Sequence, residues 1–158
     1  AAKKYGYRIK YVLHPIVSAQ VNDFDKNDYV DIIPAVGDMS YETMFRESSL
    51  MVTDFSGIQF DFAYMRKPLV YLHHKDIPQH YEEGTFFYDT MAFGEIAHDN
   101  DELIDLLCEY MASGCKMKEE YVRRADDFFY YNDHNNCKRI YDTMIEYQEK
   151  KILPYRQK

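Results

Sequence analysis

Hydrophobic residues along this chain form four short runs with the spacing of β-strands, at residues 8–13, 29–35, 50–55 and 69–72. The first run alternates apolar and polar residues and stops at His14-Pro15. It stops there because proline disfavours helix in the preceding residue and has no N–H to donate to a sheet. The fourth run, L-V-Y-L, is apolar throughout, which is typical of a buried strand in a parallel sheet.

Between and after these runs, apolar residues return every three or four positions, as on one face of a helix. The chain opens with a helix end and a turn at Gly6, and further helices are predicted at residues 40–48, 56–67, 101–112, 118–129 and 135–150. Ser40 and Ser56 are the expected N-caps of the first two, and Gly114 is expected to end the third. Residues 76–97 are interpreted as one long, aromatic-rich loop.

Strands that alternate with helices predict an α/β fold, with a Rossmann-like parallel sheet covered by helices on both faces. A chain of 158 residues has the size of one domain, so residues 1–158 are expected to form a single domain. Because the chain opens in mid-helix and leads directly into its sheet, an upstream portion is also expected.

Composition narrows the class of protein. Hydrophobic residues make up 46% of the chain and charged residues 29%, a balance typical of globular proteins. The formal charge of −8 argues against a nucleic-acid surface, although a few backbone N–H groups and one or two cations suffice for a phosphate. No apolar stretch approaches the roughly 20 residues that span a bilayer. The three cysteines match no metal-ligand spacing, so reduced thiols in the cytoplasm are expected.

Ligands of parallel α/β sheets bind at the carboxyl ends of the strands, here His14 and residues 35–38, 53–57 and 73–76. The sequence T-D-F-S-G at 53–57 joins a strand to a helix and exposes several N–H groups. The hydroxyl of Ser56 and the close approach allowed by Gly57 add to its capacity for a phosphate. An ordinary helix cap formed by Ser56 explains the same residues equally well.

Three other side chains admit both a functional and a structural interpretation. His14 could donate to a phosphate or exchange a proton near neutral pH, or simply bond a backbone carbonyl. Asp61 could orient a ligand-binding group, or make a structural hydrogen bond. Asp89 lies in the aromatic segment 84–89, which either covers a ligand or packs as a surface loop.

For the other polar clusters, structural roles are favoured over functional ones. His73 and His74 are adjacent on a strand, where they point to opposite faces and chelate one ion poorly, so no metal site is predicted. The segment D-H-N-N-C-K-R at 133–139 begins the last helix, and its N–H groups offer either a second anion site or a plain cap by an asparagine. The pairs at 66–67 and 123–124 are interpreted as surface charge.

Four segments in order along the chain carry a family resemblance: V-L-H-P at 12–15, the strand and turn from Tyr29 to Asp38, M-V-T-D-F-S-G-I-Q-F-D-F-A-Y-M-R-K-P-L-V-Y-L at 51–72, and G-T-F-F-Y-D at 84–89. The sequence resembles the C-terminal lobe of the CDP-glycerol glycerophosphotransferases, the teichoic acid polymerases of Gram-positive bacteria. The resemblance implies one lobe of the two-lobed glycosyltransferase (GT-B) fold, and therefore a C-terminal fragment of a larger enzyme. It also implies that a CDP-glycerol or related CDP-polyol donor binds mainly in this lobe, with no metal or other cofactor.

The resemblance assigns roles to matching positions. It places His14 at the donor phosphates as the catalytic group and implies that Thr53 and Ser56 contact the pyrophosphate. Asp54 and Gly57 belong to the same donor-binding turn. The remaining matches are the supporting residues Asp61 and Asp89, and the phosphate-side residues Asn136, Cys137 and Arg139 in the last helix.

Three departures from the family pattern concern the donor. Gly57 stands where the family has a second serine, Glu83 where it has an arginine before the loop glycine, and His134 where a small residue is expected. Because of these changes, a ribitol-type donor or a sugar nucleotide stays an alternative to CDP-glycerol.

The expected function is transfer of glycerol phosphate, or a related polyol phosphate, to a lipid-linked polyol-phosphate acceptor that is reached through the other lobe. The full protein is expected to be cytoplasmic and peripheral at the inner face of the plasma membrane, and this domain alone to turn over little. One alternative is the lobe of a sugar-nucleotide-dependent GT-B glycosyltransferase. The other is a non-catalytic α/β interaction module whose tyrosine-rich surface binds a protein.

Overall fold

A computed structural model of the chain describes residues 1–25, 27–35, 40–77, 84 and 86–152. The chain divides into two compact units, Ala1–Ala125 and Asp126–Lys158, and each is described by itself. Among the described residues, no helix combines the length and hydrophobicity needed to cross a bilayer. The expectation of a single domain stays a prediction.

Parallel strands form the framework of the first unit. β1 (Ile9–Val12) pairs with β2 (Val30–Ile33), and β4 (Leu69–Leu72) lies between β3 (Met51–Thr53) and β5 (Gly94–Ala97). Every one of these pairings is parallel. The predicted α/β fold with parallel, Rossmann-like strands is therefore confirmed.

Helices connect the strands. Five of them lie where the apolar spacing predicts, at residues 40–48, 56–67, 101–112, 118–129 and 135–150, whereas those at residues 15–23 and 88–91 are not predicted by the sequence. The bounds of the helices are α1 Ala2–Tyr5, a 3-10 helix Pro15–Asp23, α2 Tyr41–Glu47, α3 Ile58–Tyr64, α4 Tyr88–Met91, α5 Asn100–Ala112, α6 Glu119–Phe128, and α7 Asn136–Tyr147 followed by a π-helical turn Gln148–Ile152. The turn at Gly6, the cap by Ser40 and the end at Gly114 are confirmed, with both glycines at positive φ and the Ser40 hydroxyl accepting from Thr43 N–H.

The prediction of one loop over residues 76–97 is wrong, because α4 and β5 lie within it. The sequence pattern does not indicate strand β5, because its first two residues, Gly94 and Glu95, are poor strand formers. Glycine is required because a Cβ at position 94 would lie 1.8 Å from the carbonyl oxygen of Leu69. A charged glutamate is tolerated in this strand because its carboxylate is paired. The Glu95 carboxylate accepts a hydrogen bond from the Tyr110 hydroxyl at 2.6 Å and forms an ion pair with the Lys118 ammonium at 2.5 Å.

Lys67 is more than a solvated surface charge. Its ammonium donates to the backbone carbonyls of Phe45, Arg46 and Ser48 at 2.6, 2.8 and 2.7 Å. Carbonyls at the end of a helix lack partners within the helix, and a cation there satisfies them. Burial lowers the pKa of this ammonium. Lys67 therefore links the end of α2, through hydrogen bonds, to the segment that leads into β4.

The buried core lies around β4. Leu69, Val70 and Tyr71 have no exposed surface, and Phe62 and Ala63 of α3 are equally buried. The central strand thus holds α3 against the sheet, and α3 begins directly after the turn at residues 53–57.

We expect Gly94→Ala to lower the free energy of unfolding by about 1–3 kcal/mol or more, because the new methyl group must displace the Leu69 backbone. Urea denaturation measures this change. Gly57→Ala is the matched control: a Cβ added at Gly57 would meet no heavy atom within 4 Å, and φ there is −63°, so stability should stay within about 1 kcal/mol of wild type. Equal stability of the two variants would contradict the close approach of β5 to β4.

Candidate functional site

The turn that follows β3 presents two backbone donors. Thr53 ends the strand, the backbone bends at Asp54 and Phe55, and α3 begins at Ile58. Within the part of the chain that the structure describes, the N–H groups of Ser56 and Gly57 have no hydrogen-bond acceptor. Gly57 is exposed. An anion at this turn could therefore accept two hydrogen bonds from the backbone.

Ser56 does not cap α3 in the way the sequence predicts. The N-cap position belongs to Gly57, and the Ser56 hydroxyl accepts weakly from the N–H of Ile58 at 3.5 Å. The Ser56 carbonyl accepts from Gln59 N–H at 3.3 Å. The serine thus stabilises the turn from one residue outside the helix, and its hydroxyl proton remains available to donate.

Aromatic rings pack against this turn. The ring of Phe55 stacks on the imidazole of His73 with centroids 4.1 Å apart and planes 14° apart. The ring of Tyr88 meets the same imidazole edge-on at 4.6 Å. His73 immediately follows β4, so the carboxyl ends of β3 and β4 are joined through these rings. Burial, followed by the neighbouring His98, lowers the pKa of His73, and the nearby Asp54 opposes that shift.

Gln59 links the turn to the sheet and to α4. Its side-chain carbonyl accepts from the Tyr71 hydroxyl at 2.8 Å, and its amide donates to the Tyr88 hydroxyl at 3.3 Å. The Tyr71 hydroxyl in turn accepts from the N–H of Phe93 at 3.3 Å. Gln59 is 3% exposed and Tyr71 is fully buried, so each polar atom in this chain of hydrogen bonds depends on its partner.

His14 follows β1 and is held in a defined tautomer. Its Nδ1 accepts from the N–H of Ile16 at 3.2 Å, so in the neutral ring the proton lies on Nε2. The Ser18 hydroxyl donates to the His14 carbonyl at 3.3 Å and accepts from the N–H of Ala35 at 3.0 Å, which joins the ends of β1 and β2. The exposed imidazole therefore offers an Nε2–H donor at the carboxyl end of a parallel strand.

Arg139 is the centre of the arrangement in the second unit. Its guanidinium donates to the carboxylate of Asp133 and, at 3.0 Å, to the side-chain oxygen of Asn136, and it lies 3.6 Å from the ring centroid of Tyr131. The guanidinium holds the pKa of Asp133 well below its usual range. Asn135 occupies the N-cap position of α7 without a side-chain capping bond, so the predicted asparagine cap does not form.

A family model described as CDP-Glycerol:Poly(glycerophosphate) glycerophosphotransferase matches residues 1–146. The chain belongs to this family. Among curated proteins, "Minor teichoic acid biosynthesis protein GgaB" of Bacillus subtilis (strain 168) is 37% identical over 151 residues, which cover 96% of this chain and 16% of that protein. The chain therefore spans about one sixth of the length of this relative. No solved structure matches the chain.

The structure places the sequence-predicted residues of this glycerophosphotransferase-family chain in separate groups. Thr53, Asp54, Ser56 and Gly57 share the turn after β3, whereas His14 follows β1. Asp61 and Asp89 are exposed, on α3 and in the first turn of α4 respectively. The last three, Asn136, Cys137 and Arg139, lie on α7 in the second unit. In the described part of the chain, no group of three or more His, Cys, Asp or Glu residues is arranged to hold a metal ion.

Other positions fall outside the sequence prediction or outside the described residues. Gln59, Tyr71 and Tyr88 were not singled out from the sequence, although they fix the turn after β3. The sequence places His73 among the strand-end candidates at 73–76 and gives it no role beyond a rejected metal site; its stacking on Phe55 is seen only in the structure. The candidate positions 36–38 and Glu83 lie outside the described residues.

We expect Tyr71→Phe to lower the free energy of unfolding by about 1–3 kcal/mol, because it removes the hydroxyl that donates to the buried Gln59 oxygen and accepts from the Phe93 N–H. Chemical denaturation checks this value. Tyr11→Phe removes a hydroxyl from a side chain in a residue that is 51% exposed, and should stay within about 0.5 kcal/mol of wild type. A Tyr71→Phe protein as stable as Tyr11→Phe would show that the Gln59 link carries no stability.

The lowered pKa of His73 predicts a pH dependence of folding. The unfolded chain takes up the proton near the ordinary value of about 6.5, while the folded chain resists it until lower pH. The free energy of unfolding should therefore fall as pH drops below about 6.5, and fall less steeply in His73→Asn. Denaturation curves between about pH 7.5 and 5.5 measure the two slopes. Parallel slopes would mean that the folded chain does not favour neutral His73.

Proposed function

We propose that this chain is the donor-binding part of an enzyme that transfers glycerol phosphate, or a related polyol phosphate, from a CDP-linked donor to a teichoic-acid-type polymer. The family match over residues 1–146 carries this proposal. The two N–H groups after β3 that lack an acceptor among the described residues support it, because they lie within the T-D-F-S-G motif and are suited to a diphosphate.

The turn after β3 binds the donor pyrophosphate. The N–H groups of Ser56 and Gly57 donate to non-bridging oxygens, and the hydroxyls of Thr53 and Ser56 add further bonds. Hydrogen bonds from neutral backbone groups suit an acidic chain of net charge −8, since they require no cationic patch. Asp54 lies within this turn and is exposed.

His14 stabilises charge on the leaving phosphate. An acceptor hydroxyl attacks the β-phosphorus of the donor, a new P–O bond forms, and the bond to the bridging oxygen breaks to release CMP. The Nε2–H of His14 donates to the leaving phosphate as negative charge accumulates there, the electrostatic role that dominates phosphoryl transfer. The proton of the acceptor hydroxyl goes to a general base supplied by another part of the protein.

The other residues that match the family pattern support donor binding. In the second unit, the Asp133 carboxylate and the Tyr131 ring orient the Arg139 guanidinium. With Asn136 and Cys137, Arg139 forms a candidate phosphate contact on α7. Asp61 and Asp89 present exposed carboxylates that support the donor site.

The whole protein completes the reaction. This chain forms one lobe of a GT-B enzyme, and the other lobe brings the lipid-linked acceptor at the inner face of the plasma membrane. The chain alone binds the donor and does not turn it over. The substitution of Gly57 for a family serine makes a sugar-nucleotide donor the competing possibility, which preference for UDP would reveal.

Isothermal titration calorimetry with CDP, CDP-glycerol and UDP tests donor binding. We expect the chain to bind CDP and CDP-glycerol more tightly than UDP. His14→Ala and Ser56→Ala should each weaken CDP binding by about tenfold, the loss for one hydrogen bond to a charged group.

The control for these variants is Ser113→Ala, which removes a hydroxyl at the C-terminal end of α5 and should leave the CDP affinity unchanged. Tighter binding of UDP than of CDP would replace the proposed donor by a sugar nucleotide. Absence of binding by all three ligands would overturn the proposal.

A further inference from the structure

The backbone ladder between β1 and β2 stops just before His14. In this parallel pair, donors of β1 recur at every second residue, and the Leu13 N–H donates to the Ile33 carbonyl at 2.9 Å. The next donor in the series would be residue 15, which is a proline and has no N–H. The position of His14 relative to β2 therefore depends on a bond outside the regular ladder.

A buried hydroxyl provides that bond. The Ser18 hydroxyl donates to the His14 carbonyl at 3.3 Å and accepts from the N–H of Ala35, two residues after β2, at 3.0 Å. Ser18 is 5% exposed, and a buried hydroxyl of this kind depends on its partners. The side chain of Ser18 thus continues the connection between the two strands that Pro15 interrupts.

The other bonds of His14 are local. Its carbonyl also accepts from the Val17 N–H at 2.9 Å, and its Nδ1 accepts from the Ile16 N–H at 3.2 Å. Proline restricts the residue before it to extended backbone, and His14 accordingly has φ −59° and ψ 143°. These restraints act between neighbours in sequence, so they set the shape of the turn. Beyond the Leu13 bond, the position of this turn on the sheet depends on Ser18.

We propose that Ser18 is a positioning residue for His14, whose hydroxyl holds the Nε2–H donor in place at the carboxyl end of β1. The inference rests on the proposed function, since it concerns the contact between His14 and the donor phosphate. Ser18 itself does not touch the donor, because it is buried and its proton is used by the His14 carbonyl. Because a hydrogen bond weakens steeply as its angle departs from linearity, a displaced imidazole would bind the phosphate less tightly.

Three substitutions separate positioning from folding. Ser18→Ala removes the link to β2, while the Val17 N–H still bonds to the His14 carbonyl, so the local turn is expected to form. Ser18→Thr keeps a hydroxyl and is the conservative variant. Ser113→Ala is the matched control, because the Ser113 hydroxyl also donates to a backbone carbonyl, that of Tyr110 at 3.1 Å, but at the end of α5.

The experiment is a double-mutant cycle of Ser18→Ala and His14→Ala, measured by titration of the 158-residue chain with CDP, with thermal unfolding recorded for every variant. We expect Ser18→Ala to bind CDP about four- to tenfold more weakly than wild type, and Ser18→Thr and Ser113→Ala within about twofold of it.

The decisive measurement is the effect of Ser18→Ala in the His14→Ala background. There it should change the affinity by less than about twofold, because the contact that Ser18 positions is already absent. A general loss of stability would instead weaken binding in both backgrounds. If Ser18→Ala fails to fold, Ser18→Cys takes its place in the cycle, since a thiol is a weak hydrogen-bond donor.

The outcomes distinguish this inference from the proposed function. If the wild-type chain binds CDP and Ser18→Ala binds it equally, the positioning role is wrong while the donor site stands. Equal weakening with and without His14 would show that Ser18 is merely structural, and so would unchanged binding in His14→Ala alone, since no contact would then need positioning. If the wild-type chain binds no CDP, the proposed function fails, and the positioning role fails with it.

Discussion

The side chain of Gln59 is the interaction on which the rest of the candidate site depends. It lies in the first turn of α3, is almost fully buried, and receives a hydrogen bond from Tyr71 of the central strand. Its amide donates to Tyr88 of α4. One buried amide therefore links the helix after the turn at residues 53–57, the central strand and the aromatic segment that contains Tyr88. Buried polar chains of this kind specify a geometry because an unmatched partner is costly.

In the proposed donor site, neutral groups provide most of the donors for an anion. The chain is acidic, and several of its cations are engaged internally: Lys67 binds three helix-end carbonyls, and Arg139 pairs with Asp133. The exposed imidazole of His14 and the backbone N–H groups after β3 instead offer directed donors. Such donors select a ligand by the positions of its acceptor oxygens. A shift of the turn by a fraction of an ångström therefore weakens their hydrogen bonds to the ligand.

Much of the architecture could be predicted because apolar spacing and turn residues act locally. The runs at 50–55 and 69–72 and the caps at Ser40 and Gly114 follow from strand and helix chemistry. β5 escaped prediction because its Gly94 and Glu95 are explained only by partners distant in sequence, Leu69, Tyr110 and Lys118. The motif directed attention to the turn after β3, but the contacts of Gln59 and His73 depend on which rings surround them in three dimensions.

We propose that the N–H groups of Ser56 and Gly57 contact the donor diphosphate. Proton–nitrogen NMR of the isotope-labelled chain during titration with CDP tests it directly. We expect the Ser56 and Gly57 amide protons to move downfield and to saturate with the binding curve, as hydrogen bonds to a phosphate require. Saturable binding of CDP that leaves both amide resonances unmoved would contradict the account.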